Sequence, residues 1–182
     1  MDLVIIIIYT LASALILIYS LSQLNLLIKY WRSKKNPDSS PKFDLSRTDE
    51  TPLVTIQLPI YNEMYVVERL LKNISEMDYP AEKLEIQVLD DSTDASVEKT
   101  ALLIRELQKK GIDIQHIQRT DRSGSKAGAL KEGLKIAKGE FIAGFDADFL
   151  PKKDWLKETI PYFKDPQIGV VQTRWGHINR DY

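Results

Sequence analysis

The chain has 182 residues, enough for one domain with a real core. It carries no cysteine, which excludes disulfides and thiolate metal sites. With 25 basic against 26 acidic residues the net charge is −1, so nothing favours nucleic acid as a partner.

The first forty residues differ in character from the rest. Leu3–Ile28 is apolar apart from scattered Ser, Thr, Gln and Asn, and it holds no charged residue. One helix crosses a bilayer with about 20 such residues. Ala12-Ser13-Ala14 has the form of a signal-peptidase site, but no basic stretch precedes the run, only Asp2, and the apolar residues continue well past it. An uncleaved anchor over residues 1–30 is therefore expected. Lys29, Arg32, Lys34 and Lys35 follow directly, which places that end in the cytoplasm by the positive-inside rule. Tyr30 and Trp31 suit the interfacial belt. Residues 31–51 read as a juxtamembrane linker, since Asn36–Glu50 carries Pro, Ser and charge with little to bury.

From Pro52 to Tyr182 strands and helices alternate. Strands are expected at Leu53–Leu58, Leu84–Leu89, Ile112–Gln118, Phe141–Phe145 and Ile168–Arg174. Helices are expected at Glu63–Glu76, Ala95–Lys110, Ser125–Lys138 and Lys152–Phe163. Val66, Val67, Leu70, Leu71 and Ile74 form the apolar face of the first of these. Ala127, Leu130, Leu134 and Ala137 are the candidates in the third. Strict alternation implies an α/β fold with a mostly parallel sheet and helices on both faces. Ligands of such sheets bind beyond the carboxyl ends of the strands.

Three polar clusters fall on that rim: Pro59-Ile60-Tyr61-Asn62-Glu63, Asp90-Asp91-Ser92-Thr93-Asp94 and Asp146-Ala147-Asp148. Each has an ordinary reading. Asp-x-Asp arises as a solvated turn, Ser92, Thr93 and Asp94 are good helix caps, and a lone Tyr is usually a packing aromatic. Yet Asp146 and Asp148 flank one small residue where a buried strand ends, so both carboxylates can face one point. Two hard oxygen donors suit Mg²⁺ or Mn²⁺, which keeps its other positions for water and substrate phosphates. A fourth cluster, Lys126-Ala127-Gly128-Ala129-Leu130, opens a helix whose N-terminal amides face the same rim. A helix N-terminus attracts phosphate, and Lys126 adds a full charge there.

As an ordered set these four clusters resemble family 2 glycosyltransferases of the GT-A fold, a Rossmann-like nucleotide-sugar-binding architecture. Within them the chain is similar to membrane-bound cellulose synthase-like proteins and glucomannan mannosyltransferases, also in Gln87-Val88-Leu89-Asp90-Asp91-Ser92-Thr93-Asp94 and Val171-Gln172-Thr173-Arg174-Trp175. The resemblance covers Pro52 to about Tyr182. It implies transfer of a hexose from UDP-glucose or GDP-mannose to a growing β-glycan, with inversion and a divalent metal. It implies that Tyr61 packs near the nucleotide base, that Asp90 and Asp91 bind base and ribose, and that Lys126 meets the diphosphate. Glu63 and Asp146 join the same nucleotide-sugar site, and Asp146 and Asp148 carry the metal.

Two parts of the family pattern are not found. The catalytic base, the Asp of a Thr-Glu-Asp motif, has no match and is expected beyond Tyr182. The acceptor-site Gln-x-x-Arg-Trp is also absent, since Gln172-Thr173-Arg174-Trp175 is one residue short and comes too early. A lone His177 is usually structural. Residues 52–182 thus read as the donor-binding half of such an enzyme, and the alternative is a nucleotide-sugar-binding fragment without catalysis. A nucleotidyltransferase would open with a Gly-rich basic loop at Pro59–Glu63, and a dinucleotide-binding dehydrogenase needs Gly-x-Gly-x-x-Gly after the first strand. A phospho-receiver domain places its Lys on the last strand. None of these fits.

Overall fold

The computed structural model describes residues 2–34, 51–174 and 176–177, in two units that are treated separately. The first holds one uninterrupted helix, α1, Asp2–Lys34. No Gly or Pro interrupts its ladder, and the Thr10 hydroxyl donates back to the Ile6 carbonyl at 2.8 Å, so that polar group is satisfied within the helix. Residues 3–32 are exposed all round, and Leu3–Arg32 is long and apolar enough to cross a membrane. Most of the expected linker, residues 35–50, lies outside the described residues.

The second unit is built on four parallel strands in the order β3-β2-β1-β4. They are β1 Val54–Ile60, β2 Leu84–Asp90, β3 Ile114–Gln118 and β4 Phe141–Gly144. Helices α2 Val67–Ser75, α3 Ser96–Lys109, α4 Ser125–Ile136 and α5 Trp155–Thr159 connect and follow them. The α/β reading with a parallel sheet holds. Alternation along β1 and β2 gives the sheet two unlike faces. Val54, Ile56, Leu58 and Ile60, with Ile86 and Val88, pack on Val67, Leu70 and Ile74 of α2 and Ile104 of α3. These side chains are essentially removed from water, and each contributes about 1.5–3 kcal/mol by that burial.

The opposite face is polar yet buried. Thr55 Oγ1 donates to Glu85 Oε2 at 2.6 Å, and Gln57 Nε2 donates to Gln87 Oε1 at 3.0 Å. The Lys138 amide donates to the same Glu85 oxygen at 2.9 Å, and the Gly139 amide donates to Thr55 Oγ1 at 2.8 Å. The network therefore pins the turn that feeds β4. Helix α4 covers this face through small residues. A Cβ on Gly133 would lie 2.7 Å from Gln57 Nε2.

That packing corrects the face expected for α4. Ala129 and Gly133 are its buried residues, whereas Leu134 is 57% exposed. A polar sheet surface rewards close approach rather than large apolar side chains. Other expectations shift as well: α2 begins at Val67 rather than Glu63, and β3 at Ile114 rather than Ile112. The last helix begins at Trp155 rather than Lys152 and gives way at Ile160 to a 3₁₀ turn, because Pro161 has no N–H for an α ladder. Residues 168–174 form no strand, for they find no ladder partner among the described residues, and Val170 is 82% exposed.

Candidate functional site

From β1 the chain passes to β2 and β3 on one side, then returns to place β4 on the other side of β1. The carboxyl ends of β1 and β4 thus flank a switch in strand order, where open α/β sheets bind ligands. A cleft of about 430 Å³ lies there, a size ordinary for a small-molecule site. Tyr61 and Glu63 line it from the end of β1, and Asp91 from the end of β2. Asp146 and Asp148 come from the end of β4, and Lys126 from the first turn of α4. Six of the seven residues singled out on the sequence meet in one cleft.

Asp90 is the exception in placement. It continues the row of Ile86 and Val88, and Asp91 turns to the other face. The Asp90 side chain is wholly buried and lies 2.8 Å from His116 Nε2. It also accepts the Ser92 amide at 2.9 Å. Burial pushes the Asp90 carboxyl up, but His116 and Ser92 outweigh it and hold the group below its ordinary range. Ser92 in turn accepts the Asn62 amide at 2.8 Å, and Asn62 Oδ1 accepts the Thr93 amide at 2.9 Å. Asn62 sits at φ 56°, a left-handed conformation that Asn tolerates. Asp90 therefore ties together the loops that carry Tyr61 and Asp91, from below the cleft.

Arg119 was not singled out on the sequence, although it directly follows β3 on the same rim. Its Nε donates to Asp91 Oδ1 at 2.9 Å and its Nη2 to Asp91 Oδ2. Its remaining donors reach the carbonyls of Ser123 at 3.1 Å and Ser125 at 3.0 Å. One partly buried guanidinium thus joins the acid of β2 to the loop that opens α4. Gly124 at φ 72° and Ser125 at φ 47° turn that loop sharply into the helix. Gly128 lets it pack down, because a Cβ there would fall 2.0 Å from the Ser123 carbonyl oxygen. The outcome is the position of Lys126, whose ammonium is paired with Asp146 Oδ1 across the cleft. A second residue not singled out, Arg122, lays its guanidinium over the Tyr61 ring.

The donor set at Asp146 and Asp148 fits a hard divalent ion. Both are carboxylates with open access, and the described residues hold no group of three or more His, Cys, Asp or Glu that would close a cage. Such a pair leaves positions for phosphate oxygens.

The parallel four-stranded α/β domain has a GT-A-like fold. The chain belongs to glycosyl transferase family 2, whose pattern matches residues 55–182. It is 39% identical over 166 residues to glucomannan 4-β-mannosyltransferase 1 of Cyamopsis tetragonoloba, covering 86% of this chain and 31% of that protein. It is 39% identical over 158 residues to glucomannan 4-β-mannosyltransferase 2 of Arabidopsis thaliana, covering 81% and 30%. Among solved structures it resembles the mannosyltransferase PcManGT from Pyrobaculum calidifontis, in complex with GDP-Man and Mn²⁺. There the TM-score is 0.63 and the identity 34%, over 79% of this chain and 41% of that one. The chain thus spans about three tenths of the length of the curated relatives it matches.

Proposed function

We propose that this chain carries the donor site of a membrane-anchored hexosyltransferase that transfers mannose from GDP-mannose to a growing β-glycan, with inversion. UDP-glucose is the competing donor. The observation that carries the reading is the convergence of Tyr61, Asp91, Lys126, Asp146 and Asp148 on one cleft at the strand-order switch. The choice of mannose rests on the similarity to the glucomannan 4-β-mannosyltransferases and to the GDP-Man complex.

In this reading Tyr61 offers a ring face to the base. Asp91, oriented by Arg119, accepts hydrogen bonds from base or ribose, and Asp90 holds the two loops in register. Asp146 and Asp148 would bind Mg²⁺ or Mn²⁺. When bound, that ion would neutralise the charge growing on the departing nucleoside diphosphate. Lys126 then gives up Asp146 and turns to the phosphates, where the α4 N-terminus adds its partial positive charge. Glu63 closes the cleft beside them.

Titration of the full chain in detergent with GDP-mannose and UDP-glucose, with and without Mn²⁺, tests the donor. GDP-mannose is expected to bind more tightly, and only with the ion. Tighter binding of UDP-glucose would reassign the sugar, and binding of neither would end the reading. The basic flank of α1 supports a cytoplasmic side for the domain. A reporter fused after Tyr182 should signal from that side, and a signal from the opposite side would reverse the orientation.

A further inference from the structure

That reading leaves Arg122 unused, although it lines the cleft with Tyr61, Asp91 and Lys126. Its guanidinium carbon lies 3.7 Å from the centre of the Tyr61 ring. Its charge approaches Asp91 only at 4.0 Å, beyond hydrogen-bond reach, and each oxygen of that carboxylate already accepts from Arg119. Arg122 donates no hydrogen bond to any described residue. A planar fork of five donors, the geometry that matches phosphate oxygens in pairs, is therefore held in the cleft by stacking and a weak ion pair alone. Lys126, by contrast, is engaged by Asp146.

The contact with Tyr61 has a steric consequence. Stacked carbon atoms lie about 3.5–4.0 Å apart, so no second ring fits between the guanidinium and Tyr61. A base can reach that face of the ring only after the guanidinium leaves. The backbone has no need to move. The Ser125 amide donates to the Arg122 carbonyl at 2.9 Å, and Arg119 holds the carbonyls of Ser123 and Ser125. Rotation of one long, partly exposed side chain is enough.

We propose that Arg122 is a phosphate-binding residue that covers Tyr61 until a nucleoside diphosphate arrives, then turns its guanidinium onto the diphosphate and frees the ring for the base. The proposal rests on the donor-site reading above. It makes the phosphates supply what displaces the guanidinium. A nucleoside without phosphate must displace the cation from Tyr61 and offers it nothing in return.

The test compares GDP with guanosine, and UDP with uridine, on the full chain in detergent with Mn²⁺. Diphosphates are read by calorimetry and nucleosides by competition against them. Arg122→Ala is expected to weaken binding of the preferred diphosphate by about tenfold, the low end for hydrogen bonds to charged groups, while its nucleoside binds no more weakly than before. Arg122→Lys, which keeps the charge and loses the fork, should fall between. Unchanged diphosphate affinity in Arg122→Ala would overturn the proposal. Equal losses for diphosphate and nucleoside would also overturn it, by making Arg122 a stacking platform for the base. If the unaltered chain binds neither diphosphate, the donor-site reading itself falls, and this inference with it.

Discussion

Asp148→Ala is expected to weaken Mn²⁺-dependent GDP binding by at least about 10–100-fold, the loss that follows even when a metal ligand's supporting partner is removed. Asp148 is an exposed carboxylate in the loop that follows β4, so its removal leaves the core intact. Asp146 cannot replace it. Alone it would offer the ion a single protein carboxylate, a poor anchor for Mg²⁺ or Mn²⁺. The melting temperature should stay the same, which separates a lost ligand from a lost fold. Calorimetry with GDP and Mn²⁺ reads the change. Equal affinity in variant and parent would remove the metal from Asp146 and Asp148.

Gly128→Val is expected to damage both stability and the site, because its first added atom would sit 2.0 Å from the Ser123 carbonyl oxygen and 2.7 Å from Arg119 Nη1. The first obstacle is backbone, so the loop has to shift. Overpacking of this kind costs about 1–3 kcal/mol. The loop that moves is the one Arg119 ties to Asp91 and the one that aims Lys126. Nucleotide affinity should therefore fall by more than the loss in folding stability implies when binding is measured well below the melting temperature. Thermal melts and GDP titration on the same sample check both parts. A variant that melts lower and binds GDP normally would show that Lys126 does not depend on this loop.

Signals in the sequence differ in range, and only the short-range ones fix a residue's role. Asp146, Asp148 and Lys126 could be read because strand period, helix start and residue type are local properties. The parallel sheet followed from alternation alone. Asp90 and Asp91 could not be told apart so easily. They are neighbours in sequence, but the pleat turns them to opposite faces, and only the positions of His116 and Arg119 decide what each one does. Arg119 and Arg122 lacked any signature, since an arginine after a strand is usually solvated, and their partners lie across the sheet. The face of α4 was misread because the sheet beneath it is polar. Glu85, Gln57 and Gln87 in strands give no warning that they will be fully buried. The segment 168–174 has the composition of a strand, but a strand also needs a neighbour, and composition does not supply one.

A crystal of the full chain grown with GDP and Mn²⁺ can be measured at the manganese absorption edge. One anomalous peak is expected, bound by Asp146 and Asp148 and by the diphosphate, with Lys126 released from Asp146 and the base against Tyr61. A nucleotide bound elsewhere on the domain, or a diphosphate held in this cleft with no metal at those two carboxylates, would contradict the proposed donor site.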